Sequence, residues 1–181
     1  MSTPVIKMMA HSISEGGFSM KDELTRREQV VWAATYLDKN AYFRIDRRNP
    51  NSSHRTIGFS YRGVIAVRDR DSTPLIFLKN LFGGSLTPAH SSYVWWCGDR
   101  QATILLEQIL PLLKTKRNID VGKLILELYA EICNRKPLPD KERLRREAIY
   151  REACKYKLSR TETGGLGGIA TQVNRAIWAT P

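Results

Sequence analysis

Cysteine is scarce in this 181-residue chain: Cys97, Cys133 and Cys154 stand far apart and are odd in number. None belongs to a C-x-x-C pair, so neither a zinc site nor a disulfide framework is expected. Free thiols suit a reducing intracellular compartment, an organelle such as a mitochondrion or chloroplast included. Histidine is as rare; His11, His54 and His90 each sit in a polar segment without a neighbouring ligand and read as surface residues. No apolar run approaches the roughly 18 residues of a membrane helix, so no membrane partner is expected. The start of the chain lacks the basic, apolar and small-residue order of a secretory signal. Residues 1–22 are serine-rich without arginine, which argues against a retained transit peptide. No internal repeat is present. Acid is in deficit too: 18 Asp and Glu face 29 Lys and Arg, giving +11 and a pI near 9.8. With 42% hydrophobic and 26% charged residues the chain is globular in composition. Its cation excess points to a polyanionic partner, nucleic acid first. A solvated basic surface gives the same number, so charge alone assigns no function.

What is there begins with TRREQVVWAATYLD. Thr25 and Glu28 form a capping box, and a helix follows from about Arg26 to Asp38. From Ala41 the period changes to two: Phe43, Ile45 and Arg47 share one face, and Tyr42, Arg44, Asp46 and Arg48 the other. RTIGFSYRGVIAVRD reads as a second strand, bulged near Gly63 where the apolar set slips. DSTPLIFLKNLFGG is a short helix, capped by Ser72 or Thr73, with Pro74 in its first turn and Gly83 at its end. A second hairpin around Pro88, a helix broken at Pro111, and a helix with Val121, Leu124, Ile125, Leu128 and Ile132 on one stripe complete a mixed α+β fold with an antiparallel sheet. Beyond the KPLPD break, residues 134–160 hold ten Lys and Arg against four Asp and Glu, a surplus of six. This basic helix is a candidate nucleic-acid surface through Arg143, Arg145 and Arg146. TETGGLGGI lacks the strand and Lys-Ser/Thr of a phosphate-binding loop and reads as a joint before a tail carrying Ile177 and Trp178. The expected organisation is an extension over 1–22, a domain over 23–134, a basic helical extension over 135–160, and a joint with tail over 161–181.

Four segments in order resemble the LAGLIDADG homing endonuclease family, in its form with one motif per chain. Ala33 to Ala41, AATYLDKNA, occupies the nine signature places; FLKNLFGGSL, SSYVWWCGDRQA and ILPLLKTKRN resemble later family segments. The resemblance implies an αββαββα domain whose saddle-shaped, four-stranded antiparallel sheet lies along duplex DNA, here followed by the basic helix. It also implies a homodimer packed through the signature helix at Ala34 and Thr35; an ordinary core helix is the alternative. Arg44, Asp46 and Arg48 match places that point to DNA, where arginine bonds guanine and an acid accepts from cytosine. Arg62 and Arg68, with Val94 and Trp96, extend that surface. Val94 and Trp96 stand where the family often has arginines, and an exposed Trp stacks on an unpaired base better than it reads a groove edge.

In active family members the eighth signature residue is an acid that helps hold divalent metal. Here it is Asn40, a neutral amide, where hard Mg²⁺ wants anionic oxygen. Asp38 lies two residues earlier, about 200° around the helix, and more naturally bonds backbone amides near the helix end. Lys116 matches the family lysine thought to polarise the active-site water, and equally suits a phosphate contact. The implied protein binds DNA or structured RNA without cutting, as a maturase-like or ribonucleoprotein component, and needs no metal. The alternative is a working Mg²⁺-dependent endonuclease using Asp38, Asp69 or Asp71; a protein-interaction module with incidental charge is a third reading.

Overall fold

Thr25 starts the first helix. Its hydroxyl accepts from the Glu28 amide at 3.4 Å, and the Glu28 carboxylate accepts from the Thr25 amide at 2.8 Å, so two orphan donors at the helix start are satisfied. In the computed structural model, which describes residues 24–48, 59–130 and 139–156, this helix (α1) spans Arg26–Asn40. It runs straight into β1 (Ala41–Arg48), followed by β2 (Ser60–Asp69), α2 (Thr73–Phe82), β3 (Ser85–Ala89), β4 (Ser92–Gly98), α3 (Arg100–Ile109), a 3-10 turn at Leu110–Leu112, α4 (Lys116–Ala130) and α5 (Asp140–Cys154). The extension over 1–22, Ile132 and the Gly-rich tail with Ile177 and Trp178 lie outside the described residues.

The four strands form one antiparallel sheet in the order β1-β2-β4-β3. Pairing is unbroken from Ala41 opposite Val67 to Arg48 opposite Ser60, and from Val64 opposite Gly98 to Asp69 opposite Tyr93. The expected bulge at Gly63 is therefore absent. Strict alternation holds through β2; what looked like a slip is two apolar residues, Val64 and Ala66, on the face away from the helices. Gly63 itself faces the helices, where a Cβ would stand 2.5 Å from Ile125 Cγ2, so glycine lets α4 close on the strand.

Phe43, Ile45, Tyr61, Ile65, Val67, Trp95 and Cys97 line the covered face and pack on Leu75 and Leu78 of α2, Leu105, Leu106 and Ile109 of α3, and Ile125 and Leu128 of α4. Ile149 and Ala153 of α5 join the same core. Burial pushes the Cys97 thiol up to about 12. Two local expectations change. Ser72 makes no capping bond to α2; the Asp71 carboxylate accepts from the Thr73 amide at 2.8 Å instead. Pro88 lies within β3, an edge strand that tolerates its missing N–H, and the hairpin turns at His90 and Ser91, His90 at φ 51°.

Candidate nucleic-acid interface

The face of the sheet away from the helices carries Tyr42, Arg44, Asp46 and Arg48 from β1, Arg62, Val64, Ala66 and Arg68 from β2, and Ser92, Val94, Trp96 and Gly98 from β4. Its arginines lie against the sheet and are held there. Arg44 is 8% exposed, with Nε 2.8 Å from Asp46 Oδ1 and its guanidinium 5.8 Å from the Tyr42 ring. Its two terminal nitrogens are buried and make no hydrogen bond. Arg62 Nε lies 2.8 Å from Asp99 Oδ2, and its guanidinium sits 4.6 Å over the Trp96 ring. Arg68 donates to Ser92 Oγ at 2.6 Å and to the Ala89 carbonyl at 3.3 Å. Burial, then the nearby Arg62 charge, lowers the Arg48 pKa. Beneath this layer Val64, Ala66 and Val94 are buried. Val94, read from sequence as a contact residue, is 2% exposed: it sits between β2 and β3 in the middle of the sheet, under larger neighbours, and offers nothing to a partner.

Where α1 meets β1, Asn40 turns back on its own helix, its Nδ2 donating to the Tyr36 carbonyl at 3.0 Å. Asp38 faces the start of α4. Its carboxylate accepts from the Lys114 amide at 3.0 Å, the Thr115 amide at 3.1 Å and Asn118 Nδ2 at 3.3 Å. Burial pushes the Asp38 pKa up, but these N–H donors outweigh it and hold the carboxyl below its ordinary value. Lys39, Lys114 and Lys116 are exposed around this corner. Arg117 lies 4.8 Å over the other partner of Arg44, the Tyr42 ring, and donates Nε to the Tyr156 carbonyl. Ala34, expected at a helix–helix seam, is 1% exposed within the chain's own core, which corrects that reading. Thr35 is exposed, one turn from Val31 at 45%, so the free stripe of α1 runs along Arg27, Val31 and Thr35.

The basic helix α5 packs on α4 and on the covered side of the sheet, away from Arg44 and Arg62. Most of its charges are paired within the helix. Arg145 and Arg146 both bond the Glu142 carboxylate, which these hydrogen bonds hold at about 2, and Arg143 pairs with Asp140. Asp69 and Asp71 are likewise engaged: Asp69 accepts from the Tyr36 hydroxyl at 2.5 Å and from the Asp71 amide, while Asp71 caps α2.

No protein-family model matches the sequence, and no curated protein matches it. Solved structures do. The homing endonuclease I-CvuI, in complex with DNA left uncleaved in 2 mM Mg, superposes with a TM-score of 0.64 at 14% identity, over 75% of this chain and 85% of that one. The archaeal intron-encoded homing endonuclease I-Vdi141I, complexed with DNA, gives 0.57 at 10% identity over 72% and 85%. The LAGLIDADG homing endonuclease I-GzeII, with its DNA target, gives 0.55 at 14% identity over 78% of this chain and 48% of that longer one. The fold is that of the LAGLIDADG homing endonucleases. Within this LAGLIDADG-like fold the α1–β1 corner is the place the resemblance gives to metal. Its donor set is an amide turned into its own helix and a carboxylate already accepting three N–H groups. Among the described residues no three His, Cys, Asp or Glu stand together. This corner does not fit a divalent metal in the single chain.

Sequence reading brought Arg44, Asp46, Arg48, Arg62, Arg68 and Trp96 onto one face, and the structure places them there. It missed Asp99 and Tyr129, which position Arg62. Asp99, at φ 55°, accepts from the Tyr129 hydroxyl at 2.9 Å, and that hydroxyl accepts from the Gly63 amide at 3.0 Å. Burial, then Asp99, raises the Tyr129 pKa. Nothing in the sequence joins positions 63, 99 and 129; the period-two pattern did put Tyr42 beside Arg44.

Proposed function

We propose that the chain is a nucleic-acid-binding protein that uses the open sheet face of a LAGLIDADG-like scaffold to hold its target without hydrolysing it. One observation carries this reading: the carboxamide of Asn40 closes its own helix and the Asp38 carboxylate clamps the start of α4, so among the described residues the corner offers no uncommitted carboxylate to a metal. What this corner does instead is structural. Asp38 fixes α4 against α1, and Lys116 stays exposed beside it, suited to a backbone phosphate. The three neighbours named above were solved in complex with DNA, which supports a nucleic-acid target for this face. A homodimer through the Arg27–Val31–Thr35 stripe belongs to the same reading, as do a splicing or ribonucleoprotein setting if the target is structured RNA.

The test is incubation of the full chain with supercoiled plasmid libraries in Mg²⁺ or Mn²⁺, beside Asn40→Asp. The expected result is binding that weakens as salt rises, by roughly one logarithmic unit of slope per neutralised phosphate, with no nicking. Site-specific cutting by the unmodified chain would establish the endonuclease reading in its place. Sequencing copurifying nucleic acid separates DNA from RNA, and light scattering reads the dimer.

A further inference from the structure

The open face differs from a groove-reading surface in one respect that its geometry makes specific. A side chain that reads a base edge in the major groove must stand out from the sheet, because that groove is about 8.5 Å deep. Arg62 lies flat instead. Gly98, on the neighbouring strand, has no side chain; a Cβ there would sit 2.6 Å from Arg62 Nε and 2.9 Å from Nη2. Across that gap the guanidinium reaches the Trp96 ring and stacks on it at 4.6 Å. It is fixed from behind by Asp99, whose carboxylate accepts from the Tyr129 hydroxyl and whose backbone N–H donates to the Gly63 carbonyl at 3.1 Å. Val64 and Ala66 lie buried beneath this layer and support it from below.

Planar cation and half-buried indole match the π-face of a nucleobase, and the surrounding arginines match its phosphate. We infer that Trp96, Arg62 and Gly98 form a stacking platform for unpaired bases of a single-stranded nucleic acid, with Asp99 and Tyr129 as positioning residues. This inference rests on the nucleic-acid reading above.

The test titrates the full chain with three labelled probes at one salt concentration: an oligouridylate RNA, an oligothymidylate of equal length, and a mixed-sequence DNA duplex. The expected result is tighter binding of the single strands than of the duplex. Trp96→Leu then weakens single-strand binding about tenfold and leaves duplex binding within about twofold. Gly98→Ala, which lifts Arg62, and Tyr129→Phe weaken it in the same sense. The RNA and DNA arms decide the source of the base. At saturating single strand, where the variant is fully bound, quenching of tryptophan fluorescence should disappear in Trp96→Leu, a change that a merely structural role would not produce. Should Trp96→Leu fail to fold, Arg62→Gln takes its place. Duplex binding as tight as single-strand binding, or equal losses across all probes, overturns the platform and leaves the broader reading standing. Binding of none of the three overturns both.

Discussion

Trp95 and Trp96 are neighbours on β4, and they face two different environments. Trp95 is fully buried among the helices, its Nε1 donating to the Gly83 carbonyl at 2.9 Å. Trp96 lies on the open face, half-buried under a guanidinium. Both faces of the sheet hide apolar residues, but one is sealed by helices and the other by flat, ion-paired arginines. The first kind of cover is built for stability. The second rests on cation–π contacts and ion pairs and leaves planar groups turned towards a ligand. The comparison breaks first at this tryptophan pair. Trp95→Ala is expected to cost about 3–5 kcal/mol in urea denaturation. Trp96→Ala should cost less, roughly 1–2 kcal/mol, for a half-buried indole and its cation–π contact. Equal losses would make the open face a second core.

The two glycines across the sheet sharpen the contrast at the next size down. Gly63→Leu drives a side chain into Ile125 and Tyr129 on the covered side and should cost about 1–3 kcal/mol by overpacking. Gly98→Ala displaces the Arg62 guanidinium from its stack on Trp96 and should cost less, about 0.5–1 kcal/mol. Thermal melts of the two variants decide it; a larger loss at Gly98 would mean that the Arg62 stack is a structural strut.

Alternation along β1 and the capping box at Thr25 were legible because each is local: period two sorts side chains by face, and a cap needs only four residues. The same rule misled at Gly63, since outward-facing Val64 and Ala66 look like core when the eye expects charge on a solvent face. Ala34 was misread for a related reason. Small residues mark close approach between helices, but not whether the neighbour is another chain or the chain's own core. Asp99, Tyr129 and Gly63 meet only through the packing of α4 on β2, so no pattern along the chain announces them. Asp38 reads from the sequence as binding amides near the end of its own helix; it binds instead the Lys114 and Thr115 amides and the Asn118 side chain, some eighty residues away, which no local pattern announces.

Acid should test the covered side further. Glu142 is held near 2 when folded, against 4.5 ordinarily, so its contribution is present above about pH 4.5 and is lost as pH falls towards 2. Asp38, also lowered, acts in the same direction. Melting temperature should therefore fall through that window, and Glu142→Gln should flatten the fall. An unchanged slope in the variant would remove Glu142 from the account of how α5 is fixed.

The smallest effect is expected where net charge is densest. Residues 134–160 carry a surplus of six cations, yet Arg143, Arg145 and Arg146 of α5 each meet a carboxylate of their own helix, and the helix lies on the sheet's covered side. A cation already neutralised releases few counterions from a polyanion, so Arg143→Gln should leave both affinity and the salt slope of nucleic-acid binding nearly unchanged. Arg68→Gln on the open face should reduce affinity and lower that slope by about one unit. Measured side by side, the pair separates charge that is merely present from charge that is placed. If Arg143 proved the costlier loss, nucleic acid would wrap past the edge of β1 onto α5, and the open face would be only half of the interface.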